Sequence, residues 1–233
     1  MKIGILKADS VRDEFQSEFG DYHGMFQRVL DSVAQGALEY RTYDVLAGDY
    51  PESIDACDGY VITGSRESVY DDQEWISRLG NFVIALHERQ KKTVGICFGH
   101  QLIAHVLGGE TTSAAGGWGV GVHEFKVEFE PPWMPEKTTT FRLLCSHRDQ
   151  VTRLPQNAHI FAKSDFCPVA GYTLGNHFIT FQGHPEFVKS YSEILMRSRK
   201  DLLESAYDPG IASLDETTDE GLVATWMLEF LQQ

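Results

Sequence analysis

Lys92-Thr93-Val94-Gly95-Ile96-Cys97-Phe98-Gly99-His100-Gln101-Leu102-Ile103-Ala104 is the stretch on which the reading of this chain turns. Thr93–Ile96 is short and apolar, which predicts a buried strand, while 99–107 has helical spacing and stops at Gly108-Gly109. Cys97 stands alone at the junction, with Gly95 and Gly99 two places to either side. A strand that passes straight into a helix holds its turn residue in a strained conformation, and glycines let the flanking backbone crowd in. This is the nucleophile-elbow pattern of G-x-S-x-G, with sulfur in place of oxygen. The helix start adds free N–H groups and a positive partial charge beside the sulfur, a setting that suits a thiolate. A buried cysteine packed as a small hydrophobe at a strand end is the plainer alternative.

Before this stretch, strands and helices alternate. Residues 3–6, 39–44 and 59–65 read as strands, the last breaking into a loop at Gly64. Residues 22–35 and 71–90 read as amphipathic helices, the first with Phe26, Val29, Leu30 and Val33 on one face. That alternation predicts an α/β fold built on an open, mostly parallel, doubly wound sheet with flanking helices. Residues 8–21 are polar and irregular, and they follow the first strand's carboxyl end, the edge at which such sheets bind ligands.

After Gly109 the pattern changes. Residues 120–130 alternate apolar and polar side chains, and 141–145, 160–163, 169–173 and 178–181 read as further short strands, which predicts a small antiparallel extension. Pro131-Pro132-Trp133-Met134-Pro135 reads as an exposed turn, 188–205 and 219–232 as closing helices, and 207–218 as a loop. No repeat or long linker interrupts the chain, so residues 1–233 are expected to form a single domain.

Composition narrows the function classes. A net charge of -14 with no basic patch opposes nucleic acid and anionic membrane surfaces as partners. No run of about 18 apolar residues is present, so no membrane span is expected. The opening Met1-Lys2-Ile3-Gly4-Ile5-Leu6-Lys7 reads as a strand rather than a signal peptide. With 4 cysteines, no C-x-x-C pair and no secretion signal, reduced thiols and a cytoplasmic location are expected.

A cysteine nucleophile needs a base, and the base needs an orienting group. Among 9 histidines, His184 is distinguished by Gly183-His184-Pro185-Glu186 at a strand end. Alternate residues there point the same way, so the Glu186 carboxylate can hold one imidazole nitrogen. The competing pair is Cys145 and His147. Cys145 lies within a strand and lacks elbow glycines, so it reads as packed core, whereas His147-Arg148-Asp149 reads as a polar loop at the ligand edge. Gly64 is either a loop hinge or the point where a backbone N–H approaches a developing oxyanion. His100 and His105 are five apart and H-E-x-x-H is absent, so neither a metal nor a cofactor is expected.

Taken in order, Thr63-Gly64-Ser65, Gly95-Ile96-Cys97-Phe98-Gly99-His100-Gln101, Ser146-His147-Arg148-Asp149-Gln150-Val151 and Gly183-His184-Pro185-Glu186 resemble the class I glutamine amidotransferase family, in the manner of the GMP synthase amidotransferase. The resemblance implies a flavodoxin-like sheet, Cys97 as nucleophile, His184 as base and Glu186 as third member of a triad. It implies an oxyanion hole from the backbone at Gly64 and Phe98. Gln101 would contact the glutamine substrate, and Ser146, His147 and Asp149 would hold its amino-acid end. The implied reaction is thiolate attack on a γ-carboxamide, a γ-glutamyl thioester, and release of glutamate and ammonia by water.

Amidotransferases pass ammonia to a synthetase, and no ATP-using acceptor domain is expected so soon after Glu186, so a separate synthetase subunit is the implied partner. Simple hydrolysis is the alternative. Tyr22-His23-Gly24-Met25-Phe26 and 64–76 resemble stand-alone relatives that include plant γ-glutamyl peptidases, which cleave glutathione-type compounds. Amidotransferase-type glutaminase chemistry is the first expectation, γ-glutamyl peptidase the second, and a catalytically silent binding module the third. A DJ-1-like cysteine protein fits the distant His-Pro-Glu segment poorly. Tyr22 and His23 are candidates to face the pocket and contact the group beyond the γ-carbonyl, against a helix-start histidine in water.

Overall fold

A computed structural model of the chain describes residues 1–134 and 137–233. In chain order its elements are β1 (Lys2–Lys7), α1 (Asp13–Phe19), α2 (Tyr22–Asp31), β2 (Glu39–Asp44), β3 (Gly59–Ile62), α3 (Glu74–Glu88), β4 (Thr93–Ile96), α4 (Phe98–Val106) and β5 (Glu110–Ser113). They continue as β6 (Gly119–Val127), β7 (Thr140–His147), β8 (Asp149–Arg153), β9 (Ala158–Lys163), β10 (Gly171–Leu174), β11 (Phe178–Phe181), α5 (Lys189–Ser198), α6 (Lys200–Leu203), α7 (Tyr207–Ala212) and α8 (Glu220–Gln232).

The main sheet has the order β2-β1-β3-β4-β11-β10-β9-β6-β7. Strands β2, β1, β3, β4 and β11 are parallel, and β10, β9, β6 and β7 extend the sheet antiparallel. Both faces of the parallel half are covered. Phe26 and Leu30 of α2 pack with Val223, Trp226 and Phe230 of α8 on one face, and Leu79, Val83 and Leu86 of α3 pack with Leu102 and Ile103 of α4 on the other. That is why β3 and β4 are apolar without alternation: a strand buried on both sides has no polar face to show. The strand order reverses between β2-β1 and β1-β3, and the loops after β1, β3, β4 and β11 gather at one sheet edge.

Four local readings are corrected. Residues 13–19, expected to be irregular, form α1, with Asp13 and Glu14 in its first turn and Gly20 (φ 75°) beyond its end. The 207–218 loop contains α7, because Pro209 falls in the first turn, where a missing N–H costs nothing. The expected exposed turn instead buries Trp133 and Met134, with Trp133 edge-on to Phe161 and close to Trp226; Pro135 lies outside the described residues. His147-Arg148-Asp149, expected to be a polar loop, instead ends β7 and starts β8, and β8 pairs with β5 in a small second sheet. Among the described residues no helix is long and apolar enough to cross a membrane.

Candidate active site

Cys97 joins β4 to α4 at φ 50° and ψ -102°, a left-handed conformation that costs a non-glycine residue about 1–3 kcal/mol. The surroundings enforce it. The N–H of Cys97 donates to the Phe181 carbonyl (2.8 Å), and its own carbonyl accepts from Gln101 N–H (3.0 Å). A Cβ on Gly99 would stand 2.6 Å from the Ile62 carbonyl oxygen, so only glycine lets α4 start this close to β3. As the first helical residue, Phe98 has an N–H without an intrahelical acceptor, directly beside the sulfur.

Strand β11 lies next to β4 in register, with Phe181 opposite Ile96, and its continuation carries His184 to the same edge. His184 N–H donates to the Leu144 carbonyl (2.8 Å), which anchors the backbone to β7. Nδ1 of His184 lies 2.8 Å from Oε1 of Glu186, both side chains being buried, and the Phe187 ring stacks on the imidazole at 4.0 Å. Nε2, the other ring nitrogen, is buried without a hydrogen-bond partner among the described residues. A Cβ placed on Gly64 would stand 3.1 Å from Cε1 of His184 and 3.6 Å from Cβ of Cys97. The glycine loop, the elbow and the histidine therefore meet at one point.

The electrostatics follow from that meeting. Burial pulls the His184 pKa down, but the Glu186 carboxylate and the charge of Cys97 overcome it and raise it to about 10. The imidazole is thus held protonated beside Glu186 and Cys97. His147 shows the opposite case: burial, then the neighbouring histidines, drive its pKa well below the ordinary value. It faces the cavity neutral, and neither ring nitrogen has a hydrogen-bond partner among the described residues.

These groups line a cavity of about 400 Å³ at the carboxyl edge of the sheet. Gly64, Cys97, Gln101, Ser146, His147, Asp149, His184, Glu186 and Tyr22 all border it. Phe98 does not; its ring packs against Trp75, leaving only its backbone near the sulfur. Both Gln101 amide hydrogens are engaged, with the Asp149 carbonyl (2.7 Å) and Gln182 Oε1 (3.1 Å). The Asp149 carboxylate accepts from the hydroxyls of Ser68 and Ser113, tying the glycine-loop side to the small sheet. His23 is placed outside the cavity lining, half-exposed and 3.7 Å from Asp21; it is the helix-start histidine of the plainer reading.

Sequence reading missed three contributors. Asp9, at the end of β1, accepts Arg66 N–H (2.9 Å) and the Arg66 guanidinium, and so fastens the loop that carries Gly64. Tyr191 of α5 meets Tyr22 hydroxyl to hydroxyl (3.0 Å). Arg199, just beyond α5, reaches the cavity beside Ser146 (3.4 Å). Only the position of Asp9 after a strand end could have been suspected; Arg199 comes from a helix whose sequence carries no site signal. Cys145 is fully buried core, as its place in a strand suggested. No group of three or more His, Cys, Asp or Glu among the described residues is set to hold a metal ion.

The description of class I glutamine amidotransferases matches residues 26–199, and the chain belongs to that family. Among its relatives, γ-glutamyl peptidase 3 of Arabidopsis thaliana is 31% identical over 176 residues, 72% of this chain and 71% of that protein. The glutamine-hydrolyzing GMP synthase of Thermotoga maritima is 29% identical over 172 residues, 71% of this chain and 31% of that protein. A glutamine amidotransferase crystal structure from Thermotoga maritima superposes with a TM-score of 0.76, covering 99% of this chain and 96% of the other at 18% identity, which bears out the fold.

Proposed function

We propose that this chain, acting as one domain, hydrolyses γ-glutamyl amides through a Cys97 thioester, with γ-glutamyl peptides as its preferred substrates. The convergence of Cys97, His184 and Glu186 beneath Gly64 carries the reading. The Cys97 thiolate attacks the γ-carbonyl, whose oxygen gains charge beside the backbone N–H groups at Gly64 and Phe98. Protonated His184 gives its proton to the departing nitrogen, and Glu186 holds the ring in place. Neutral His184 then takes a proton from water, which cleaves the thioester to glutamate. Neutral His147, with Asp149 and Gln101 behind it, is suited to the polar amino-acid end of the γ-glutamyl group.

Peptides are preferred over glutamine because the cavity continues past His184 to Arg199, a cation that hydrogen-bonds Ser146 and pairs with no carboxylate among the described residues. A leaving group that carries a carboxylate suits that wall; ammonia does not use it. The relatives named γ-glutamyl peptidase support the same order. Glutamine hydrolysis with a separate synthetase subunit is the second reading, favoured by the match to GMP synthase. The test is glutamate release by the purified chain from glutathione and from glutamine, with Cys97→Ser as control. Faster release from glutathione is expected. Release from glutamine alone would reverse the order, and activity undiminished in Cys97→Ser would end the thioester reading. Tight binding of γ-glutamyl compounds without turnover would make this a binding module.

A further inference from the structure

One wall of the cavity is more elaborate than hydrolysis requires. Arg199 is partly buried, and no carboxylate among the described residues pairs with it; its guanidinium donates to Ser146 Oγ at 3.4 Å. Its cationic neighbours are already occupied: Asp9 grips Arg66, and Arg12 lies 3.7 Å from Glu14. Burial lowers the Arg199 pKa; Tyr22 and Tyr191 oppose that fall, and the guanidiniums of Arg12 and Arg66 add to it. In a chain of net charge -14, a cation kept in such company calls for an anionic ligand.

This wall stands on the side of the base. The Phe187 ring stacks on His184 at 4.0 Å, the Tyr22 ring stacks on Phe187 at 6.2 Å, and the hydroxyls of Tyr22 and Tyr191 meet at 3.0 Å. His184 is the group that hands a proton to a departing nitrogen, so whatever that nitrogen carried leaves along the wall. By microscopic reversibility an incoming amine returns the same way. A water molecule occupies about 30 Å³, a small part of a cavity of about 400 Å³.

We infer that the enzyme is also a γ-glutamyl transferase, in which the amine of an amino acid or short peptide, its carboxylate held by Arg199, intercepts the Cys97 thioester. The inference rests on the thioester reading above. The neutral amine attacks the thioester carbonyl, an N–C bond forms as the C–S bond breaks, and the amine proton passes to neutral His184. Cys97 leaves as the thiolate beside the imidazolium, which is the state from which the cycle began. Nothing is oxidised or reduced, and the product is a new γ-glutamyl amide.

The experiment feeds the purified chain glutathione as donor, with glycylglycine or glycylglycinamide as acceptor, and follows glutamate and the γ-glutamyl acceptor product by mass spectrometry. Glycylglycine should yield γ-glutamyl-glycylglycine, and the acid should be used at least about tenfold better than the amide, the weight of one charge-assisted contact. In Arg199→Gln that preference should disappear, while any remaining transfer treats acid and amide alike. Glutamate release with no transfer product at any acceptor concentration would overturn the inference. Equal use of acid and amide by the unaltered chain would overturn the role of Arg199. Absence of both glutamate and transfer product would instead strike down the thioester reading on which the inference stands.

Discussion

Replacing Glu186 by Gln removes one negative charge and leaves a side chain of the same shape 2.8 Å from His184 Nδ1. With Glu186 and Cys97 both present, the histidine rises from the ordinary 6.5 to about 10 in spite of burial. That is about 3.5 pH units, or about 5 kcal/mol at ~1.4 kcal/mol per unit. Glu186 is the larger of the two favourable charges, so its loss should bring the alkaline limb of kcat/KM down by about two pH units and lower kcat by about 10²–10⁴. Stability follows the same group. A protonated His184 stabilises the fold fully below pH 6.5, and the contribution fades as pH rises towards about 10. The gap in urea midpoint between the original chain and Glu186→Gln should therefore be widest below pH 6.5 and narrow by pH 10. The assay is a pH series of initial rates on glutathione beside matched urea titrations. An alkaline limb that stays in place, with a urea gap independent of pH, would refute this account of the ion pair.

Gly64→Ala should lower kcat by about 10²–10³ with little change in melting temperature, since the added methyl meets His184 and Cys97 rather than the core; steady-state kinetics with calorimetry reads both. Glu204, at φ 49° and ψ -121°, is a strained non-glycine residue, so Glu204→Gly should raise stability by up to about 1 kcal/mol in urea unfolding. His100 is fully buried, and burial pulls its pKa down to about 3, so it folds neutral. The unfolded chain binds this proton below pH 6.5 and the folded one does not, which makes stability fall as pH drops from 6.5 to 3. His100→Asn, able to keep a partner for Thr180 Oγ1 (2.8 Å), should flatten that fall by up to ~1.4 kcal/mol per pH unit in acid urea titrations.

The elbow was legible because its physics is local: an apolar strand, a cysteine and two glycines within a few residues dictate one geometry. His184 and Glu186 were legible as a pair for the same reason, two residues apart at a strand end. That they face Cys97 depends on β11 lying beside β4, which the family resemblance implied but periodicity alone did not. The small sheet is hard to read from sequence because β5 and β8 are short and polar, and each pairs with the other across the intervening β6 and β7. Pro209 disguised α7 as a loop, although a first-turn proline is compatible with a helix. Trp133 looked exposed because three prolines surround it, yet its ring finds Phe161 and Trp226. His23 and Tyr22 are neighbours on one helix, and successive helical positions point about 100° apart, so only one of them could face the cavity.

Cys97 and His184 follow adjacent strands of one hydrogen-bonded ladder, whereas Tyr22 comes from α2, Tyr191 from the first turn of α5 and Arg199 from just beyond its end. On the proposed mechanism, chemistry and choice of leaving group are thereby housed in separate parts of the fold. Changes in the peripheral helices can redraw which amines depart or enter while the ladder keeps sulfur and imidazole in register. Such an arrangement lets one scaffold give rise to ammonia-releasing and peptide-cleaving descendants without rebuilding its centre.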